Sequence, residues 1–184
     1  MAQGLILAGG YSRRFGNNKM LHIMNGEPMI IHVIKAMIPW VSRIFVVTGY
    51  YHDDLVQTLI NYDKVSIVHN PNYDLGMFSS IQAGVSYLRE DFFIIPGDYP
   101  FVNSTTYGLL LRGEGDIIGP TYQNIKGHPL LIKARLIEAL KNAPKESNLK
   151  VFRDQYKVHW IETDDEGILK DIDTINDHFS TIKN

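Results

Sequence analysis

The chain has 184 residues, no cysteine and a formal net charge of −2, which is the balance of 18 basic and 20 acidic side chains. This length suits one domain with a full hydrophobic core. The absence of cysteine excludes disulfides, thiolate catalysis and cysteine-based zinc sites. The near-neutral charge argues against a broad basic face for nucleic acid.

The amino terminus carries no targeting signal that we can recognise. Residues 1–7 lack the basic region and the long apolar stretch of a signal peptide. No apolar run is long enough to span a bilayer. We therefore expect a cytoplasmic protein whose partners include neither a membrane nor nucleic acid.

The first half of the chain alternates short apolar runs with helical spacing. Strands are predicted over residues 4–7, 44–48, 65–68 and 92–95. Helices are predicted from Pro28 towards Pro39, over residues 55–60 with Asp53 as N-cap, and from Ser79 or Ser80 to Leu88.

The second half is less regular. Strands are predicted over residues 116–119, 129–132, 157–161 and 169–172, and helices over residues 105–111, 134–140 and 149–153, with a terminal helix from residue 176. Such alternation predicts an α/β fold with a mainly parallel sheet, and we expect a single domain over residues 1–184. The loops after Ala8, Asn70 and Pro96 follow strands, so they should gather at one edge, where such sheets bind ligands.

A glycine-rich loop directly follows the first strand. Gly9 and Gly10 allow backbone N–H groups to approach an anion, and Arg13 and Lys19 add positive charge where a triphosphate needs it. The spacing matches neither the Walker pattern nor G-x-G-x-x-G. The alternative is a glycine turn with solvated basic residues. We favour phosphate binding.

Three aspartates stand at predicted strand ends. Asp98 follows the strand 92–95, where a carboxylate can hold Mg²⁺, or it caps a turn. Asp171 and Asp173 would share one face of a strand, where they repel each other unless a cation or basic group lies between them. The alternative for this pair is a strand end followed by a helix cap.

Two further segments are weaker signals. Asn70 and the small residues from Gly76 to Gly84 open a helix, which presents free N–H groups to a ligand or is an ordinary capped start. His128, in Gly-His-Pro, either lines an acceptor pocket or is a polar turn residue. The other histidines have no metal-ligand spacing.

Five motifs follow one another along the chain: LAGGYSRRFGNNK, NPNYDLGMFSSIQAGV, PGDYP, GHP and DIDT. Together they resemble the molybdopterin nucleotidyltransferases of the MobA-like NTP transferase family, from residue 4 to about residue 178. The resemblance implies a three-layer Rossmann-like nucleotidyltransferase fold with a central, mostly parallel mixed sheet. It also implies a Mg²⁺-dependent transfer of a nucleoside monophosphate from an NTP to a phosphorylated acceptor, here molybdopterin, with release of pyrophosphate.

The same resemblance assigns roles to residues. Arg13, Lys19 and Asp98 would be catalytic. Asp98 and Asp173 would hold Mg²⁺, with Asp171 as the fallback for the second ligand. The nucleotide would contact Leu7, Ala8, Gly9, Gly10, Arg13, Lys19, Ser79, Ser80 and Gly84.

The nucleobase cues conflict. Guanylyl members of the family usually read LAGG, as here, whereas cytidylyl members read LAAG; Gly9 would leave room for a purine. GMFSSI, GHP and DIDT favour the cytidylyl branch, so we expect CTP over GTP. Ile175 and Asn176 depart from the usual Pro-Glu. A sugar-phosphate nucleotidyltransferase and a non-catalytic nucleotide-binding regulator are the alternatives.

Overall fold

A computed structural model describes residues 1–174 and 177. Its strands are β1 (Ala2–Ala8), β2 (Ile23–Met24), β3 (Glu27–Pro28), β4 (Val41–Thr48), β5 (Val65–His69), β6 (Phe92–Pro96), β7 (Ile117–Tyr122), β8 (Ile125–Lys126), β9 (Leu130–Ile132) and β10 (Val158–Glu162). Its helices are α1 (Met29–Met37), α2 (His52–Leu59), α3 (Met77–Val85), α4 (Ser104–Leu110), α5 (Ile137–Lys141) and α6 (Leu149–Arg153).

The strands form one large sheet in the order β10-β7-β9-β6-β1-β4-β5, with β8 paired to β7. β1, β4, β5 and β6 are mutually parallel, and β10 is parallel to β7. β9 runs antiparallel to both β6 and β7. The predicted mostly parallel mixed sheet is therefore confirmed, and the carboxyl ends of β1, β4, β5 and β6 share one edge.

Helices cover both faces of the sheet, which makes three layers. β1 is buried along its whole length, as expected for a strand in the middle of a parallel sheet. Ile6 points to the face covered by α1, α2 and α4, while Leu5 and Leu7 point to the face covered by α3, α5 and α6. No helix in the described part of the chain is both long and apolar enough to traverse a bilayer.

Several predicted boundaries are wrong by a few residues, and one element is wrong in type. Residues 169–172 are not a strand: Glu166–Leu169 forms a 3-10 turn, and the residues after it have no sheet partner. The Asp165 side chain accepts a hydrogen bond from Gly167 N at 3.0 Å, and this local cap favours the turn. Ile168 and Ile172 are nevertheless buried. A short apolar run is therefore compatible with both a strand and a 3-10 turn, and the sequence could not distinguish them.

Two predicted helix caps are also wrong. α3 begins at Met77 with Gly76 as its N-cap, not at Ser79 or Ser80, because Gly76 has a φ of 96° that turns the chain into the helix. α2 begins at His52, so Asp53 lies in its first turn instead of capping it. The short β2–β3 hairpin and β8 were not predicted, since two residues carry no periodicity. The predicted terminal helix lies outside the described residues.

Candidate active site

The glycine-rich loop leaves the carboxyl end of β1 and ends at a 3-10 turn over Lys19–Leu21. The backbone oxygen of Ser12 accepts hydrogen bonds from the N–H groups of Phe15 and Gly16. The Ser12 hydroxyl accepts one from Lys19 N at 3.3 Å. Phe15 is buried against Met29 and anchors the loop from below. The loop is thus held by the hydrogen bonds of Ser12 and by the packing of Phe15.

This loop encloses a cavity of about 480 Å³, which we call the glycine-loop cavity. Most residues that were predicted to contact a nucleotide or metal line it: Leu7, Ala8, Gly9, Gly10, Arg13, Lys19, Ser80, Asp98 and Asp173. The loops that follow β1, β5 and β6 all reach it, as the parallel strands predict.

Three aspartates form a carboxylate cluster at the inner end of this cavity. One oxygen each of Asp98, Asp171 and Asp173 lies within 4.8 Å of the other two. Ile172 explains this convergence, because its backbone N–H donates to the Asp98 carbonyl at 2.9 Å and its side chain is fully buried beneath the loop. Asp171 and Asp173 flank Ile172, so this anchor holds both beside Asp98.

Lys19 joins the loop to the carboxylate cluster. Its Nζ lies 2.6 Å from Asp98 Oδ2 and 3.1 Å from Asp173 Oδ1, and it donates to the carbonyl of Ile172 at 3.3 Å. Burial alone would lower the pKa of Lys19, but the charges of Asp98 and Asp173 and the hydrogen bonds to them raise it above its usual value. Lys19 therefore stays charged and lies between two carboxylates that would otherwise repel each other.

The carboxylate cluster could bind a cation in addition to Lys19. Burial raises the pKa of Asp171, and the charges of Asp173 and Asp98 raise it further. Within the described residues, the buried Oδ1 of Asp98 has no hydrogen-bond partner. Carboxylate oxygens in this arrangement are the hard ligands that Mg²⁺ prefers. The three residues therefore fit a divalent cation.

Arg14, which the sequence did not single out, contacts the carboxylate cluster, whereas Arg13 lines the cavity without an ion pair to it. Arg14 Nη2 lies 2.9 Å from Asp173 Oδ2, although the Arg14 side chain is largely exposed. Arg13 is exposed at the cavity rim, where its guanidinium carbon lies 4.6 Å from the centre of the Tyr11 ring. Because the two arginines are adjacent, the sequence does not indicate which of them faces the carboxylates.

A group of aromatic rings at the cavity mouth was missed as well. The Tyr11 ring centre lies 5.0 Å from that of Tyr50 and 5.4 Å from that of Tyr73. Tyr11 and Tyr73 line the glycine-loop cavity. These tyrosines come from three different loops, so only the fold brings them together.

Two predicted nucleotide contacts do not line the cavity. Gly84 is buried on the face of α3 that packs on the sheet, where a Cβ would overlap Leu5 and lie 2.7 Å from Val47 Cγ2. Gly84 is therefore a close-packing position. The Ser79 hydroxyl donates to the carbonyls of Asn72 and Gly76, both at 2.8 Å, and it holds the turn that precedes α3.

A second cavity of about 440 Å³, which we call the α6 cavity, opens on the other side of the carboxylate cluster. His128 and Tyr99 line it, with ring centres 4.8 Å apart. Burial lowers the pKa of His128 to about 4, against the opposing charge of Asp98, so this ring is neutral at pH 7. The two cavities share Asp98 and Asp173, so ligands in them would meet at the carboxylate cluster.

This geometry suits transfer of a group between two ligands. The glycine-loop cavity combines backbone N–H groups with basic side chains, which suits a polyphosphate. The α6 cavity has room for a second ligand, and the charged residues between the cavities lie where the two would react. Preorganised charge at the reacting atoms is the main means by which such sites accelerate transfer.

Comparison with known proteins agrees with this geometry. The MobA-like NTP transferase domain matches residues 4–160. The molybdenum cofactor cytidylyltransferase of Escherichia coli is 33% identical over 97% of this chain and 94% of its own length. A probable molybdenum cofactor guanylyltransferase of Bacillus anthracis is 28% identical over 83% of this chain and 74% of its own.

A solved nucleotidyl transferase from Methanothermobacter has the same fold. It superposes with a TM-score of 0.83 at 20% identity and covers 98% of this chain and 95% of its own. The predicted three-layer, Rossmann-like nucleotidyltransferase fold is confirmed. With the family match over most of its length, the chain belongs to the MobA-like NTP transferase family and is a nucleotidyltransferase.

Proposed function

We propose that the protein transfers CMP from CTP to the terminal phosphate of molybdopterin, with Mg²⁺ as its cofactor. The observation that carries this proposal is the carboxylate cluster, which lies between two cavities and contacts Lys19 of the glycine-rich loop. CTP occupies the glycine-loop cavity, and molybdopterin reaches the cluster from the α6 cavity. The family relatives named above act on molybdenum cofactor, which supports this choice of acceptor.

The reaction requires no general base. A phosphate monoester has a second pKa of about 6, so the acceptor is mostly a dianion at neutral pH. One of its oxygens forms a bond to the α-phosphorus of CTP, and the bond from that phosphorus to the β-phosphate oxygen breaks. Pyrophosphate leaves with the electron pair of that bond, and no proton has to move.

The chain's own residues align the two substrates and balance their charge. Asp98 and Asp173 would hold Mg²⁺, with Asp171 as the nearest further carboxylate. The ion, when bound, neutralises charge on the α-phosphate and the departing pyrophosphate. Lys19 and Arg13 line the same cavity and contribute positive charge to the triphosphate. The backbone of Gly9 and Gly10 allows the phosphates a close approach.

Two observations support CTP over GTP. The cytidylyltransferase relative matches this chain at higher identity and over more of its length than the guanylyltransferase relative described above. A Cβ at Gly9 would meet protein atoms, with Ser80 Oγ at 3.0 Å and Gly49 N at 3.7 Å. The space at Gly9 is therefore limited, which weakens the argument that Gly9 makes room for a purine.

Pyrophosphate release with molybdopterin, Mg²⁺ and each of the four NTPs tests the proposal. We expect the highest kcat/KM with CTP, and no release when chelator removes the metal. Sugar 1-phosphates are tested as alternative acceptors. Faster turnover with one of them would mean that the acceptor is a sugar phosphate and not molybdopterin. A higher kcat/KM with GTP would mean that Gly9 indicates the base more reliably than the GMFSSI, GHP and DIDT motifs do. Nucleotide binding without turnover on any acceptor would point to a regulator.

A further inference from the structure

Two basic side chains line the α6 cavity and have no role in the mechanism described so far. Lys150 and Arg153 are three residues apart on α6, so they lie on the same side of this short helix. Both line the cavity that Asp98 and Asp173 also line. An anion that enters this cavity would therefore meet both positive charge and the carboxylate cluster in its lining.

Arg153 is held in place before any ligand binds. Its side chain is only 18% exposed. Its Nε and Nη2 donate to Asp154 Oδ1 at 2.9 and 2.7 Å, and its guanidinium carbon lies 5.5 Å from the centre of the Trp160 ring. The charge of Arg153 contributes to lowering the pKa of His128, so it acts across this cavity. A guanidinium fixed in this way loses little freedom when it binds an anion.

The remaining wall of the α6 cavity is mostly apolar. His128 and Tyr99 contribute rings, and Ile94, Leu130 and Leu149 contribute aliphatic surface. Ile94 and Leu130 are almost fully buried, so the wall is rigid. Such a surface suits the organic part of a ligand whose charged end lies against Lys150 and Arg153.

We propose that Lys150 and Arg153 bind the phosphate of the acceptor, a phosphate monoester whose organic part packs against His128 and Leu130. The inference rests on the proposed function, because it assigns the α6 cavity to the acceptor of that reaction. The two basic residues hold the phosphate beside the carboxylate cluster and set the acceptor's KM. They bind the acceptor and make no contact with CTP.

The test separates acceptor binding from CTP binding. In Lys150→Met and Arg153→Met, we expect the KM for molybdopterin to rise about tenfold or more, since each variant removes a charged hydrogen-bond donor to the phosphate. The KM for CTP should change less than twofold. Lys145→Met is the matched control, because Lys145 is exposed just before α6 and lies outside this cavity. Melting temperatures show whether Arg153→Met keeps its fold without the contact to Trp160.

A binding measurement keeps this inference independent of turnover. Calorimetry with phenyl phosphate should show binding to the wild type and about tenfold weaker binding to both α6 variants. Unchanged acceptor KM and unchanged phenyl phosphate affinity in folded Lys150→Met would overturn the inference. A wild type that releases no pyrophosphate would instead contradict the proposed function, and phenyl phosphate binding would then decide the role of Lys150 and Arg153 alone.

Discussion

The two cavities on either side of the carboxylate cluster are built in different ways. Ten of the residues that line the glycine-loop cavity have numbers from 7 to 20, so a single strand and its loop form most of it. The α6 cavity takes its lining from separate segments around residues 94–99, 128–130, 148–153 and 171–173. A polyphosphate can thus be bound by one continuous stretch of chain. A second ligand in the α6 cavity would contact segments that only the fold brings together.

The difference also concerns which atoms face the ligand. In the glycine-loop cavity, Gly9 and Gly10 offer main-chain groups, and Lys19 adds charge. In the α6 cavity, side chains such as His128 and Arg153 provide the contacts. Main-chain contacts suit a phosphate chain common to all NTPs, whereas side chains can be tailored to one acceptor. The following predictions test this division.

The largest effect should follow a change at Asp98, which both cavities share. We expect Asp98→Asn to lower kcat by about a thousandfold, or ~4 kcal/mol, because it removes a charge at the reacting centre. Asp173→Asn should lower kcat less, on the order of tenfold to a hundredfold. Pyrophosphate release at saturating substrates and Mg²⁺ measures both. A larger loss in Asp171→Asn than in Asp173→Asn would assign the second metal-binding role to Asp171.

A change at Lys19 should affect the glycine-loop cavity more than the α6 cavity. We expect Lys19→Ala to lower kcat/KM for CTP by about a hundredfold, or ~3 kcal/mol, since it removes the charge from the end of the loop. Binding of phenyl phosphate should weaken far less than binding of CTP, because Lys19 does not line the α6 cavity and acts on it only through Asp98 and Asp173. Lys64→Ala is the control, because Lys64 is exposed beside the start of β5, away from the carboxyl edge of the sheet. Near wild-type turnover of Lys19→Ala would contradict the site assignment.

Gly84 should matter to stability and not to nucleotide binding. A larger residue would be forced against Leu5 and Val47 beneath α3. We expect Gly84→Val to lower the free energy of unfolding by about 1–3 kcal/mol, as overpacking does. Thermal unfolding measures this loss, and calorimetry at a temperature where the variant is folded measures CTP affinity. A weaker CTP affinity with an unchanged melting temperature would mean that Gly84 contributes to the nucleotide site after all.

The smallest effect is expected at Gly9. In Gly9→Ala the added methyl would meet Ser80 Oγ at 3.0 Å, and a small movement of this hydroxyl should accommodate it. We therefore expect the ratio of kcat/KM for CTP to that for GTP to change less than threefold. Competition between the two nucleotides in one assay gives this ratio directly. A tenfold change would mean that residue 9 contributes to the choice of base after all.

Part of the site was predicted because its signals are local. The loops that carry Lys19 and Asp98 were placed at one sheet edge from the alternation of strands and loops, and Ser80 was added by the family resemblance; all three residues line one cavity. Gly84 and Ser79 lie in the same motif as Ser80, yet one packs on the sheet and the other holds a turn. Their roles could not be predicted, because the motif was matched as a block whereas a helix turns each side chain by about 100° from the last.

The sequence by itself determined the alternating α/β architecture, the buried strands such as β1, and the glycine-rich, basic loop that follows β1. These features depend on periodicity and on glycines and charges close together in the chain, so they need no knowledge of distant contacts. Only the tertiary structure decided that Lys19 lies between Asp98 and Asp173, that Arg14 and not Arg13 reaches Asp173, and that Lys150 and Arg153 line one cavity with His128. Such positions depend on how helices pack on the sheet and on anchors such as Ile172, which brings Asp171 and Asp173 to Asp98 from over seventy residues away.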